Sequence, residues 1–145
     1  MTRRITEADV RVFGALTGDA NPVHSSGVPT GPADRDAGVS RRILVHGALL
    51  NALAAGVIGS QLPGPGSIVV SQDLRFPRPC LVGEVVTTVV EVKTVRKIVE
   101  VSYRCVVGAS SEDPKVVMEG SARLILAELS TDKEEGEGGK GEGPD

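Results

Sequence analysis

A chain of 145 residues, 40% of them hydrophobic, fits one domain, and folding at this length buries about two thirds of the surface an extended chain exposes. The net charge of −3 hides two populations: the last fifteen residues carry six acids and two lysines, a net of −4, which leaves the body at +1. A near-neutral body whose aromatic rings are Phe13, Phe76 and Tyr103 lacks the basic face and stacking platform of a nucleic-acid binder.

In chain order, the opening MTRRITEADV is charged and has no apolar run after it, so no signal peptide is expected within it. A helix is predicted from about Thr6 to Thr17. Thr6 and Asp9 have the spacing of a capping arrangement, Val10, Phe13 and Leu16 form an apolar stripe, and Gly18 supplies a left-handed stop. The segment GDANPVH, residues 18–24, follows directly. From Ser25 to Arg42 neither period appears, and a long loop is expected. The apolar stretch from Leu44 to Ile58 contains His46 and Asn51 and is shorter than the ~20 residues of a membrane span. It predicts a helix over residues 46–59 with hardly any polar face, wrapped by other structure.

PGPG at 63–66 marks a turn. After it Ile68, Val70, Leu74 and Phe76 share one predicted face, interrupted by Gln72. A second strand spans about Glu84 to Thr94, and a third turns Val99, Val101, Tyr103, Cys105 and Val107 inward. The fourth turns Val116, Met118, Ala122, Leu124 and Leu126 inward. Four alternating strands after a buried helix predict an α+β fold, an antiparallel sheet curled round a central helix. Cys80 and Cys105 stand far apart without metal or redox spacing, so reduced, buried thiols of an intracellular protein are expected. The domain is expected to span 1–129, followed by a disordered acidic Gly/Glu-rich tail over 130–145.

GDANPVH holds the first chemical signal. Pro22 cannot sit inside a helix and biases Asn21 toward extended backbone, so Asp19 and His24 lie on a bent segment where their side chains can converge. A carboxylate and an imidazole holding one water can take a proton on one side and supply one on the other, as an addition or elimination requires. The same residues are also ordinary turn formers, and the segment alone fits that reading too. His46 and Gly47 stand at the start of the buried helix, where unpaired N–H groups and the helix dipole can polarise a thioester carbonyl and stabilise the enolate formed on addition. A glycine there equally suits close packing of helix on sheet.

Taken in order from about Ile5 to Leu126, the blocks TGDANPVH, LVHGALLNAL, GSQLPGPGSIVVSQDLRFPRP, GEVV and EVK resemble the MaoC-like (R)-specific enoyl-thioester hydratases. Among these, the likeness is to the mitochondrial 3-hydroxyacyl-thioester dehydratases of type 2 above all. The resemblance implies a hot-dog fold, a homodimer, and reversible syn addition of water to a trans-2-enoyl thioester, with no metal or redox cofactor. It places the catalytic pair on Asp19 and His24 and the backbone donor on Gly47, with Asn21 bracing the loop and His46 in support. Two departures stand out. Ala55 occupies a position where many relatives have serine, and the loop between His24 and His46 is longer than the family's. The expected substrate carrier is acyl carrier protein or coenzyme A. The expected compartment is the mitochondrion, or the cytoplasm for a bacterial chain. A hot-dog acyl-thioesterase and a non-catalytic dimeric module that binds acyl thioesters remain the alternatives.

Overall fold

The computed structural model describes residues 1–28 and 41–129. Strand β1 (Thr2–Arg4) is followed by helix α1 (Glu7–Thr17), a 3₁₀ turn (Pro22–His24), helix α2 (Gly47–Ser60), and strands β2 (Ser67–Arg75), β3 (Val85–Val95), β4 (Val99–Val107) and β5 (Lys115–Leu126). All five strands form one antiparallel sheet in the order β1-β3-β4-β5-β2. The order follows from the chain: β3, β4 and β5 are joined by short turns and pair as consecutive neighbours, while β2 returns to the far side of β5. The sheet holds α2 against its concave face, which bears out the α+β hot-dog fold.

Leu50, Ala54 and Ile58 recur on one side of α2 and share one core cluster with Val99, Val101, Tyr103, Cys105, Met118 and Leu124; Val57 is buried beside them. Each large side chain fully buried here contributes about 1.5–3 kcal/mol, so Leu50 and Ile58 alone fix the helix to the sheet. The opposite side differs from the expectation of a wrapped helix. Ala48, Ala52, Ala55, Gly56 and Gly59 are exposed, and a Cβ added at Gly56 or Gly59 would meet nothing within 4 Å. No helix is long and apolar enough to cross a membrane among the described residues. Both cysteines are free and buried, as expected.

The capping signals of α1 are present as read: Thr6 Oγ1 accepts from Asp9 N, Asp9 Oδ2 accepts from Thr6 N, and Gly18 adopts φ 74°. Its apolar stripe is shorter than predicted. Val10 is buried, but Leu16 is 81% exposed. Strand β1 is an addition to the predicted elements; Thr2, Arg3 and Arg4 carry no alternation and are ordered by pairing with Val85–Thr87 and by the side-chain bonds of Arg3 to Asp9 and of Arg4 to the Gly83 carbonyl.

Two bulges change the predicted faces. The register of β2 shifts between Val69 and Ser71, which leaves Ile68 and Val70 exposed and aligns Val69, Gln72 and Leu74 with the inward residues Leu124, Ala122 and Gly120. Gln72 is therefore an inward residue with partners, bonding Tyr103 Oη at 3.1 Å and Asn51. A second shift, where Met118 pairs with Cys105 and Val116 with Val106, buries Val117 completely in place of Val116. Leu126 ends the strand half exposed. The expected tail over 130–145 and most of the expected loop lie outside the described residues. Val28 and Arg42 pair across the base of that loop.

Candidate active site

Gly18 ends α1 and turns the chain back, so that Asp19 begins a tight polar segment. Asp19 Oδ1 accepts from Asn21 N at 3.0 Å, and Asn21 Oδ1 accepts from Val23 N at 3.3 Å. Asn21 thus caps the 3₁₀ turn, with Pro22 at its first position, where the missing N–H is not needed. This is the bracing expected of it. The turn is tied to the segment before α2 by two further bonds: Leu44 N donates to Val23 O at 3.0 Å, and His24 Nδ1 lies 2.8 Å from Leu44 O.

That second bond sets the tautomer of His24. A carbonyl oxygen only accepts, so Nδ1 carries a hydrogen and Nε2 is the position at which His24 exchanges its other proton. Nε2 faces Asp19 Oδ2 at 3.8 Å. The two side chains predicted to converge therefore do so, with His24 largely covered and Asp19 40% exposed.

His46 is the N-cap of α2, but its side chain makes no capping bond. Its ring lies beneath the pair instead, stacked on His24 with centroids 3.7 Å apart and planes inclined by 24°, and tilted against Phe13 at 5.1 Å. Nε2 stands 3.7 Å from the same Asp19 Oδ2. The ring is 3% exposed and neither nitrogen has a hydrogen-bond partner. A polar group buried without a partner costs about 1–3 kcal/mol, so the position is not optimised for folding. Burial holds the imidazole below its ordinary range; the neighbouring His24 adds to this and the Asp19 carboxylate opposes it.

Asp19, His24 and His46 each present one atom within 4.8 Å of the others, a composition that suits a metal ion. The ring geometry does not. An imidazole binds a metal in its own plane at about 2.1 Å, and planes stacked 3.7 Å apart with only 24° between them meet far beyond that reach.

A cavity of about 400 Å³ opens over these groups, lined by Glu7, Arg11 and Gly14 of α1 together with Asp19, His24 and His46. A larger depression of about 570 Å³ crosses the sheet between Asp73, Arg75, Arg104 and Glu119 and shares no residue with it. The lining of the first cavity stops at His46. Gly47 comes next, with its N–H free of any partner among the described residues, and the ring of Phe76 lies across its Cα. Sequence reasoning did not foresee Phe76 or the Leu44 carbonyl. The isolated Gly14 inside α1 was a readable sign of close approach: a Cβ there would stand 3.2 Å from the Asp19 carbonyl and 3.8 Å from His46 Nε2.

The MaoC like domain family matches residues 1–112. The chain is 41% identical over 97 residues to the (R)-specific enoyl-CoA hydratase of Aeromonas caviae, covering 67% of this chain and 69% of that protein. The solved (R)-hydratase of A. caviae involved in PHA biosynthesis superposes with a TM-score of 0.70 at 35% identity, over 88% of this chain and 92% of that one. The mitochondrial 3-hydroxyacyl-[acyl-carrier-protein] dehydratase of Arabidopsis thaliana is more distant, 29% identical over 88% of this chain and 74% of that protein, so the likeness to the bacterial hydratases is the stronger one. A family match over three quarters of the sequence, together with a relative 41% identical over two thirds of it, makes this chain a member of the MaoC-like hydratase and dehydratase family.

Proposed function

We propose that the chain is a hydro-lyase that adds water reversibly, and on one face, to a trans-2-enoyl thioester, giving the (R)-3-hydroxyacyl thioester. The observation that carries this reading is the approach of Asp19 Oδ2 and His24 Nε2 to 3.8 Å at the edge of one cavity, next to the free N–H that starts α2. Asp19 takes a proton from the bound water as its oxygen bonds to the β-carbon. His24, protonated at Nε2, delivers a proton to the α-carbon, and the proton on Asp19 then returns to Nε2 across the short gap. Water and alkene are consumed, and both side chains are restored. In the transient enolate the thioester oxygen carries the charge, and Gly47 N–H at the positive end of α2 is the donor placed to receive it.

The names of the nearer relatives favour the coenzyme A ester as substrate, with the acyl-carrier-protein ester second. The same ranking favours a bacterial setting over the mitochondrial one, which rests on the more distant relatives. A homodimer joined along β2 fits the exposed apolar edge. β2 lacks a partner on one side, Ile68 and Val70 are about half exposed, and the alanine and glycine face of α2 lies open. Sedimentation of the wild type and of Val70→Glu tests this, with a monomeric wild type as the refuting result.

Loss of enoyl absorbance from crotonyl thioester, followed with each carrier for the wild type, Asp19→Asn and His24→Gln, tests the reaction. The reading requires falls of about 10²-fold or more in both variants. Wild-type rates in both would eliminate it. Release of free thiol with no hydroxyacyl product would point to the thioesterase chemistry instead.

A further inference from the structure

His46 is the most deeply buried titratable group in the site, and the hydration steps above leave its ring without a task. Its surroundings are specific. His24 stacks on one side of it, Phe13 packs against it, and Nε2 is directed at the carboxylate oxygen that also faces His24. Gly14 keeps the Nε2 edge clear, since a side chain there would stand over both His46 and the Asp19 carbonyl. A phenylalanine could fill the same space without burying two orphaned nitrogens. A polar ring retained against that cost has a use for its N–H, and the acceptor in front of Nε2 is Asp19 Oδ2.

We propose that His46 is a positioning residue for the reacting pair: its Nε2–H holds the Asp19 carboxylate and its ring face holds His24, so one buried imidazole orients both. This rests on the reading of Asp19 and His24 as the reacting groups. The separation of 3.7 Å is longer than a hydrogen bond, but the Asp19 side chain is 40% exposed and free to turn, and such bonds commonly tighten when substrate binds. The assignment also fixes the charge pattern. Two stacked imidazolium rings would repel, and burial with His24 alongside keeps His46 neutral, so the mobile proton belongs to His24 alone. The other charged groups lining the cavity are Glu7 and Arg11 of α1, and α2 carries no charged residue.

Imidazole ¹⁵N–¹H spectra of the intact protein read the tautomer without reference to turnover. The expected result is a neutral Nε2–H ring on His46 at neutral pH, with shifts that move in Asp19→Asn. An Nδ1–H tautomer, or a doubly protonated ring at neutral pH, would overturn the assignment. In kinetics, His46→Phe is expected to keep or raise its thermal midpoint, lose kcat by about tenfold or more, and move the acid limb of kcat to higher pH because the carboxylate has lost a donor; His46→Gln should recover part of the lost rate and of the limb shift. An active His46→Phe with an unmoved limb refutes the proposal, as do equal losses in both variants without a limb shift. Should His46→Phe fail to fold, the spectra of the wild type decide. Failure of the hydratase reading is separate, because it appears as wild-type rates in Asp19→Asn and His24→Gln whatever the His46 tautomer.

Discussion

A methyl group at position 47 tests the backbone donor directly. The Cβ of Gly47→Ala would stand 2.7, 3.0 and 3.1 Å from three carbons of the Phe76 ring, whereas carbon atoms in ordinary contact are about 3.5–4.0 Å apart. The ring must therefore retreat by about an ångström. Phe76 is 49% exposed and has room to do so, which puts the folding cost near the low end for overpacking, about 1 kcal/mol. Replacing glycine by alanine in a helix returns up to about 1 kcal/mol, so the thermal midpoint should barely move. Catalysis should change far more. Methyl and displaced ring together crowd the position above the N–H, and loss of one such donor lowers kcat by about 10²–10³, or ~2.7–4 kcal/mol. The crotonyl assay on Gly47→Ala, alone and combined with Phe76→Leu, separates the two causes. If the methyl blocks the donor, the double variant stays slow; if only the ring is at fault, the rate returns. A Gly47→Ala enzyme within about twofold of wild type would refute the donor role of Gly47.

The remaining predictions concern titration and burial. Since burial lowers the folded-state pKa of His46, the unfolded chain takes up the proton first; stability is complete above the ordinary value of 6.5 and falls as pH drops below it, and His46→Phe should flatten that decline in thermal scans between about pH 7 and pH 5. Asp9 is held below its ordinary 3.8, chiefly by the Thr6 backbone N–H, so its contribution is present above that value and is lost as pH falls through the lower folded one. Asp9→Ala should cost about 1 kcal/mol at neutral pH by denaturant titration and nothing in strong acid. Burial, with Glu84 nearby, pushes the Cys80 thiol up to about 12. Neither cysteine should react with a thiol reagent near pH 8 until the protein unfolds, and stability should decline as pH rises from 9.0 toward about 12, where only the unfolded thiol ionises freely.

What the sequence made legible was local. The Thr6–Asp9 box, the stop at Gly18 and the apolar run that forms α2 each depend on residues within a turn or two of one another, and each is present, although α2 is covered on one side and not wrapped all round. The Asp19–His24 pair was readable as a candidate because six positions and one proline keep the two residues close, whereas the aim of His24 depends on the Leu44 carbonyl and the His46 ring. Features created by pairing were not legible. The bulges beside Val70 and Val117 exist because β2 and β5 must fit their neighbours, and no alternation inside either strand announces them. β1 is ordered by pairing with β3 and by bonds to Asp9 and Gly83, and Leu16 lies 81% exposed although it continues the α1 stripe. At the site, the stacking of His46 under His24 and the ring of Phe76 over Gly47 join segments far apart in sequence, so spacing carries no trace of them.

The short extended stretch from Arg42 to His46 explains how a turn with no regular strand can hold reacting groups in place. Arg42 bonds Val28 in both directions, Leu44 N bonds Val23 O, Leu44 O accepts from His24 Nδ1, and Val45 N bonds Cys80 O at 2.8 Å. The next residue, His46, begins α2 and puts its ring under the pair. Five residues thus connect the Asp19–His24 turn, the central helix and the segment leading into β3. His24 is fixed by a main-chain acceptor and a stacked ring, while Asp19 is fixed only through Asn21 N and remains 40% exposed. The imidazole is the rigid member of the pair and the carboxylate the adjustable one. That asymmetry suits a reaction in which the carboxylate must follow a small molecule of water to the β-carbon while the ring keeps a constant aim at the α-carbon.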